Sequence, residues 1–188
     1  MPSRPGDALA RHDPSRWTRT LPYRDRADLP FDAAAVPASV PVMLDTTVYI
    51  DAFKATLPAK VAALIARNVV LHCATACAEL AVSIGHLDPV HPDTTKHRRP
   101  LEEALQRMAP AHVMAPSSEA WTEAALVAGI LARTQGYPKE SRRALINDAL
   151  LFFSAVEAKA TLISRNIRHM DLLLQIRPDA QVLLYERP

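Results

Sequence analysis

Asp45, Glu79, Asp148 and Asn166 are the residues of this 188-residue chain whose chemistry asks for an explanation. Asp45 directly follows the apolar run Val42-Met43-Leu44 in PVMLDTTVYIDAF (41–53). A carboxylate at the end of a buried strand is costly unless something cationic meets it. Glu79 lies in TACAELAVSIGHL, six residues past a second apolar run. Asp148 precedes the apolar segment ALLFFSAV, and Asn166 closes TLISRN. Three acids converging without matching bases would repel one another strongly. A divalent cation removes that conflict. Mg2+ and Mn2+ prefer carboxylate and water oxygens and keep several waters that a phosphate can displace. Such an ion can activate a water and neutralise charge developing on a phosphoryl group; two ions can clamp the attacking and leaving oxygens together.

These residues need a scaffold that gathers them, and the chain supplies alternating elements. Strands are predicted over 42–45, 69–73, 111–115, 161–166 and 181–186. Helices are predicted from Thr46-Thr47, from Pro58, over 75–87, over 100–108 after a loop with Pro89 and Pro92, from Ser117-Ser118, over 142–160 and after Asn166. The helix over 142–160 carries a break or restart near Asn147-Asp148, which would put Asp148 in a first turn. Strands separated by helices of this length imply an α/β fold in three layers: a mostly parallel central sheet of about four to five strands with helices on both faces. Ligands of such sheets bind beyond the carboxyl ends of the strands. Asp45 and Asn166 belong to that rim, and Glu79 lies one to two turns into the helix that starts there, close enough to overhang it.

Composition narrows the function less than the motifs do. A net charge of +2 is too small to argue nucleic-acid binding by itself, so any basic surface is local. Candidates for contacts to a nucleic-acid backbone are Lys96, Arg98 and Arg99 in TKHRRP, Arg142 and Arg143 ahead of Asp148, and Arg165 and Arg168 around Asn166. Cys73 and Cys77, at helical spacing and without a second pair, read as small buried side chains in a reducing compartment rather than a zinc site. The sequence shows no signal-peptide pattern and no apolar run near membrane-spanning length, so the expectation is a cytoplasmic protein. Residues 1–41 differ from the rest: seven of the sixteen prolines fall there, with six Arg against five Asp. They read as an extended arm pinned by Trp17, Tyr23 and Phe31, preceding a folded domain over 42–188. Met43 raises a start-site question, since a chain beginning there would still contain the compact pattern.

The segments MLDTTVYID, TACAELAVSIG, INDALLFFSAVEAKATLISRN and IRHMDLL resemble the PIN domain family, in the flavour of bacterial VapC-type toxins. The resemblance spans roughly residues 42–186 and lies in the order of its parts: acid and Thr after the first strand, Glu in the helix after the second, Asp before an apolar helix, and Ser/Thr-x-Asn at a strand end. It implies a PIN-like fold and a metal-dependent endoribonuclease. It makes Asp45 and Asp148 the principal Mg2+ (or Mn2+) ligands, with Glu79 completing the acidic pocket. Thr46 or Thr47 would hold Asp45 or a bound water, and Asn166 would take the fourth polar position. The family often has an acid at or shortly after that position; here His169 stands in the pattern N-x-x-D and Asp171 follows two residues later as an auxiliary candidate. Asp51, 1.7 turns past Asp45, reads as a supporting polar residue. An RNA substrate, a small antitoxin partner and a homodimer are implied with the family.

Two further readings stand beside it. A haloacid-dehalogenase-type phosphatase would want D-x-D, but Thr47 holds the second position. A PIN-like module that binds RNA or protein without cutting is motivated by His169. An Arg of the arm (11, 16, 19, 24 or 26) reaching into the acids would make the arm self-inhibitory.

Overall fold

The three-residue run Val42–Leu44 is buried throughout and forms strand β1 at the centre of the molecule. A computed structural model describes residues 5–188; residues 1–4 of the arm lie outside the described residues. Beyond β1 come α2 (Thr46–Phe53), α3 (Ala59–Arg67), β2 (Val70–Cys73), α4 (Ala74–Gly85), α5 (Thr94–Arg107), β3 (Val113–Met114), α6 (Ser118–Thr134), α7 (Arg142–Glu157), β4 (Thr161–Ser164), α8 (Ile167–Ile176) and β5 (Val182–Leu184). The arm contributes α1 (Pro5–Arg11) and three short 3-10 turns.

All strand pairs are parallel, in the order β3-β2-β1-β4-β5. Met43 stands opposite Leu71 on one side and Leu162 on the other. The chain therefore builds outward from β1 in one direction, then returns to β1 and builds outward in the other. The reversal falls between β1 and β4, which is where ligands enter sheets of this kind. A continuous core, with Phe152, Phe153, Met43, Leu131, Leu145 and Met170 fully buried, packs the helices onto the sheet. This is the expected α/β architecture, and no helix among the described residues is long and apolar enough to cross a membrane.

Three expectations are corrected. Helix α7 runs unbroken from Arg142, so Asp148 sits in its second turn rather than opening a restarted helix. Helix α5 begins at Thr94 and carries Pro100 inside it. Pairs at i,i+4, Arg98–Glu102 and Arg99–Glu103, bridge the turn in which proline removes a backbone donor. The arm, expected to be without regular structure, opens with α1. Ala8 of α1 is fully buried, and just beyond it the imidazole Nε2 of His12 lies 2.7 Å from Glu123 Oε1 on α6. Trp17 and Phe31 pack on the core as expected of pinning residues, while Tyr23 remains exposed. The Leu184 amide of edge strand β5 donates to the Pro30 carbonyl at 2.7 Å, so the arm covers that edge.

Candidate active site

Asp45 leaves β1 as the residue that caps α2, and the sequence dictates this locally. A side chain that accepts from the second helical residue suits an N-cap, and Asp45 Oδ1 accepts from the Thr47 amide at 3.3 Å. Its other oxygen accepts from the Thr47 hydroxyl at 3.1 Å and from the Ser164 hydroxyl at the end of β4. Only 3% of Asp45 is exposed. Burial, with the negative charge of Asp148 added to it, pushes the carboxyl up to about 6 against the hydrogen bonds that lower it.

Asp148 reaches the same rim from α7. The Asn166 amide donates to its Oδ2 at 2.9 Å, and His169 Nδ1 contacts the same oxygen, so neither engages Oδ1. Asn166 is itself fixed: its backbone N–H donates to Ser164 Oγ at 2.9 Å and its side chain caps α8. Glu79 of α4 comes in through neighbours. Its Oε2 accepts from the Thr46 hydroxyl and its Oε1 from the Asn147 amide at 2.9 Å. Asp45, Asp148 and Asn166 are thus joined by hydrogen bonds through Ser164, and Glu79 is held by the residues next to Asp45 and Asp148 in the chain. Of the two threonines expected to hold Asp45 or a bound water, Thr47 holds Asp45, while Thr46 holds Glu79, a contact not foreseen.

The donors around these carboxylates are hydroxyls and amides, with His169 the one titratable partner. Asp51 shows the contrast. It is fully buried, yet Arg165 Nε lies 2.7 Å from Oδ2, Arg187 Nε 2.9 Å from Oδ1 and the Tyr185 hydroxyl 3.0 Å from Oδ2. Burial pushes Asp51 up, and those three hydrogen bonds outweigh it and hold the carboxyl below its ordinary range. Asp51 is therefore a structural anchor that fixes Arg165 between Ser164 and Asn166. It also takes Arg165 out of the exposed basic set; Arg142, Arg143 and Arg168 remain exposed.

Among the described residues, no three His, Cys, Asp or Glu side chains are gathered closely enough to hold a metal ready-made. Asp171 in particular is drawn away: it is buried on α8 and bound to Arg24 of the arm. Among the described residues, none of the arm's ion pairs reaches Asp45, Glu79 or Asp148; Arg11 meets Glu119 and Glu123, and Arg26 meets Glu186. A groove of about 530 Å³ opens beside Glu79 and Asn147, lined also by Trp121, Val82 and Arg143. Cys73 is buried and Cys77 lies 3.5 Å from the Met108 sulfur, as small core side chains.

Ser164, Asn147 and Tyr137 had no assigned role in the sequence reading. The Ser-x-Asn pattern at the end of β4 carried a signal for Ser164, whose hydroxyl accepts from the Asn166 backbone N–H two residues on. Asn147 precedes Asp148 directly but reaches a different acid, and nothing local announces that.

No family model and no curated protein matches the sequence. Solved structures do. The fold is similar to a chain of VapBC2 from Rickettsia felis bound to a DNA fragment from its promoter, at 17% identity and a TM-score of 0.52, covering 78% of this chain and 99% of that one. It is similar to a chain of FitAB bound to an IR36 DNA fragment (15%, TM-score 0.54, covering 76% and 94%) and to one of FitAcB from Neisseria gonorrhoeae (18%, TM-score 0.52, covering 76% and 96%). Likeness at this identity is likeness of fold. The PIN-like architecture implied by the sequence resemblance is consistent with the fold of these structures.

Proposed function

We propose that the chain is a Mg2+-dependent endoribonuclease of the VapC type, the toxin of a toxin–antitoxin pair, with residues 42–188 as nuclease domain and 1–41 as an appended arm. The observation that carries this reading is the pairing of Asp45 with Asp148 at the strand-order reversal. One is buried and the other repels it, and among the described residues neither has an Arg or Lys partner of the kind that serves Asp51.

The donor set fits a hard divalent cation. Mg2+ commonly takes one or two direct carboxylates and keeps its remaining waters, so a pre-gathered triad is not required. Asp45 and Asp148 would be the direct ligands, with Glu79 acting through water and Asn166 orienting Asp148. When bound, the ion supplies Lewis-acid stabilisation of the phosphodiester and an activated water. The chain's own residues do the positioning. Ser164 and Thr47 fix both oxygens of Asp45, Thr46 and Asn147 hold Glu79 open to the groove, and Arg142, Arg143 and Arg168 offer exposed charge to the RNA backbone. A small antitoxin as partner and a homodimer as working form go with the family resemblance and complete the proposal.

Purified protein should cleave single-stranded RNA with Mg2+ or Mn2+ and not with EDTA. Asp45→Asn and Asp148→Asn should each abolish cleavage; variants that cut as well as wild type would remove the site assignment. One observation favours the second reading, a PIN-like module that binds without cutting: His169 occupies Asp148 Oδ2. RNA binding without metal-dependent cleavage, unchanged in Asp148→Asn, would support it.

A further inference from the structure

Asp171, expected beside the acids, holds the N-terminal arm instead. The Arg24 amide donates to Asp171 Oδ2 at 2.9 Å and Arg24 Nε to Oδ1 at 2.6 Å. Gln175 Nε2, one turn on, donates to Asp171 Oδ1 at 3.2 Å and to the Pro22 carbonyl at 2.9 Å. Residues 22 and 24 are thereby pinned to α8 by a carboxylate that is 1% exposed. Tyr23, between the two anchored residues, stays 44% exposed.

The anchored arm sets Tyr23 down beside the acidic site. Its hydroxyl lies 3.5 Å from that of Tyr137, and the Arg168 guanidinium carbon lies 5.0 Å from its ring centroid. The Tyr137 ring meets the His169 ring edge to face, centroids 5.5 Å apart, and His169 touches Asp148. Two aromatic neighbours separate an exposed tyrosine from a carboxylate of the pocket. Residues 22–24 lie outside the stretch that resembles PIN domains, so this feature belongs to the chain's own arm.

We propose that Tyr23, held at the mouth of the acidic site by the Arg24–Asp171 anchor, is a stacking platform for a base of the RNA strand, with Arg168 placed for a neighbouring phosphate; this rests on the nuclease reading above. Every base offers a π face, so a tyrosine binds single strands with little sequence preference. The Tyr23 ring, not its hydroxyl, does the stacking, and Arg168, exposed on α8, adds a charge that RNA seeks.

The test uses the full chain, a short labelled single-stranded RNA, and two readouts: affinity without metal, and KM and kcat with Mn2+. Tyr23→Ala should weaken affinity and raise KM by about 5- to 150-fold, the range for loss of one base–aromatic stack. The kcat at saturating RNA should hold, and Tyr23→Phe should restore affinity. Among RNAs made abasic one position at a time, one should bind wild type as weakly as Tyr23→Ala binds the intact strand, and lose nothing further on Tyr23→Ala. An unshifted Tm certifies the fold. Affinity unchanged in Tyr23→Ala overturns the proposal, as do tighter binding or faster cleavage, which would make the arm a cover. A wild type that binds through Tyr23 but never cleaves supports the platform and overturns the nuclease reading. A wild type that cleaves indifferently to Tyr23 does the reverse, and one that binds no RNA overturns both.

Discussion

The Ser164 hydroxyl donates to Asp45 Oδ2, joining the ends of β4 and β1 at the one place where the strand order turns back on itself. Two strands distant in sequence thus share a carboxylate that neither could hold alone. Ser164 is also fully buried and accepts from the Asn166 amide, so one hydroxyl registers both the acid and the cap of α8.

Ser164→Ala removes a hydrogen bond to a buried charged group, which costs about 1.5–3 kcal/mol. Urea unfolding should show that loss without a change in slope, and cleavage should fall because Asp45 is left less fixed. Ser164→Thr, which keeps the hydroxyl, should recover part of both.

Asp51 sets an acid limb of stability. Its folded carboxyl titrates below the ordinary value, so the unfolded chain binds the proton more readily. Its contribution is fully present above the unfolded pKa, near 4, and is lost as pH falls through the lower folded value. Asp51→Asn should destabilise by about 3 kcal/mol at neutral pH, the low end for breaking a buried pair because both guanidiniums reach solvent. The gap in Tm between wild type and Asp51→Asn should narrow as pH falls below the unfolded value and close as it passes through the lower folded one, where wild type loses the same charge.

How much of this could be read in the sequence depended on whether a residue's role was local. Asp45 is legible because the residues before and after it decide its place: an apolar strand, then a helix that wants an acceptor at its cap. The five strands and their mostly parallel direction followed from apolar runs spaced by helices; their order in the sheet did not. The partners of the acids did not follow, because Thr46–Glu79 and Asn147–Glu79 close loops of 33 and 68 residues and no local pattern encodes such pairings. Asp171 is the instructive case. Its spacing placed it near the acids, and α8 does run past them, but Arg24, 147 residues earlier, claims it. The arm's helix was hidden for a related reason: α1 is only seven residues long, too short to hold alone, and it gains its stability from α6.

Glu123 is the second anchor of the arm and carries its own test. Burial pushes its carboxyl up, but the contacts of His12 and Arg11 outweigh that and hold it low. Glu123→Gln keeps the shape and removes the charge these groups meet. Limited proteolysis should then cut within residues 5–20 faster than in wild type, while the body from β1 onward stays resistant. Equal cutting rates would show that the apolar contacts of Ala8 and Trp17 hold the arm unaided.

The central claim is that Asp45 and Asp148 together hold a divalent cation, and Mn2+ binding followed by the shift in unfolding free energy measures it most directly. At a concentration one hundred times the dissociation constant, a single ion should stabilise wild type by about 2.7 kcal/mol. Asp45→Asn and Asp148→Asn, each folded without metal, should show no such gain, and Asp171→Asn should keep it. A wild type that gains nothing from Mn2+, or an Asp148→Asn variant that gains as much as wild type, would contradict the account.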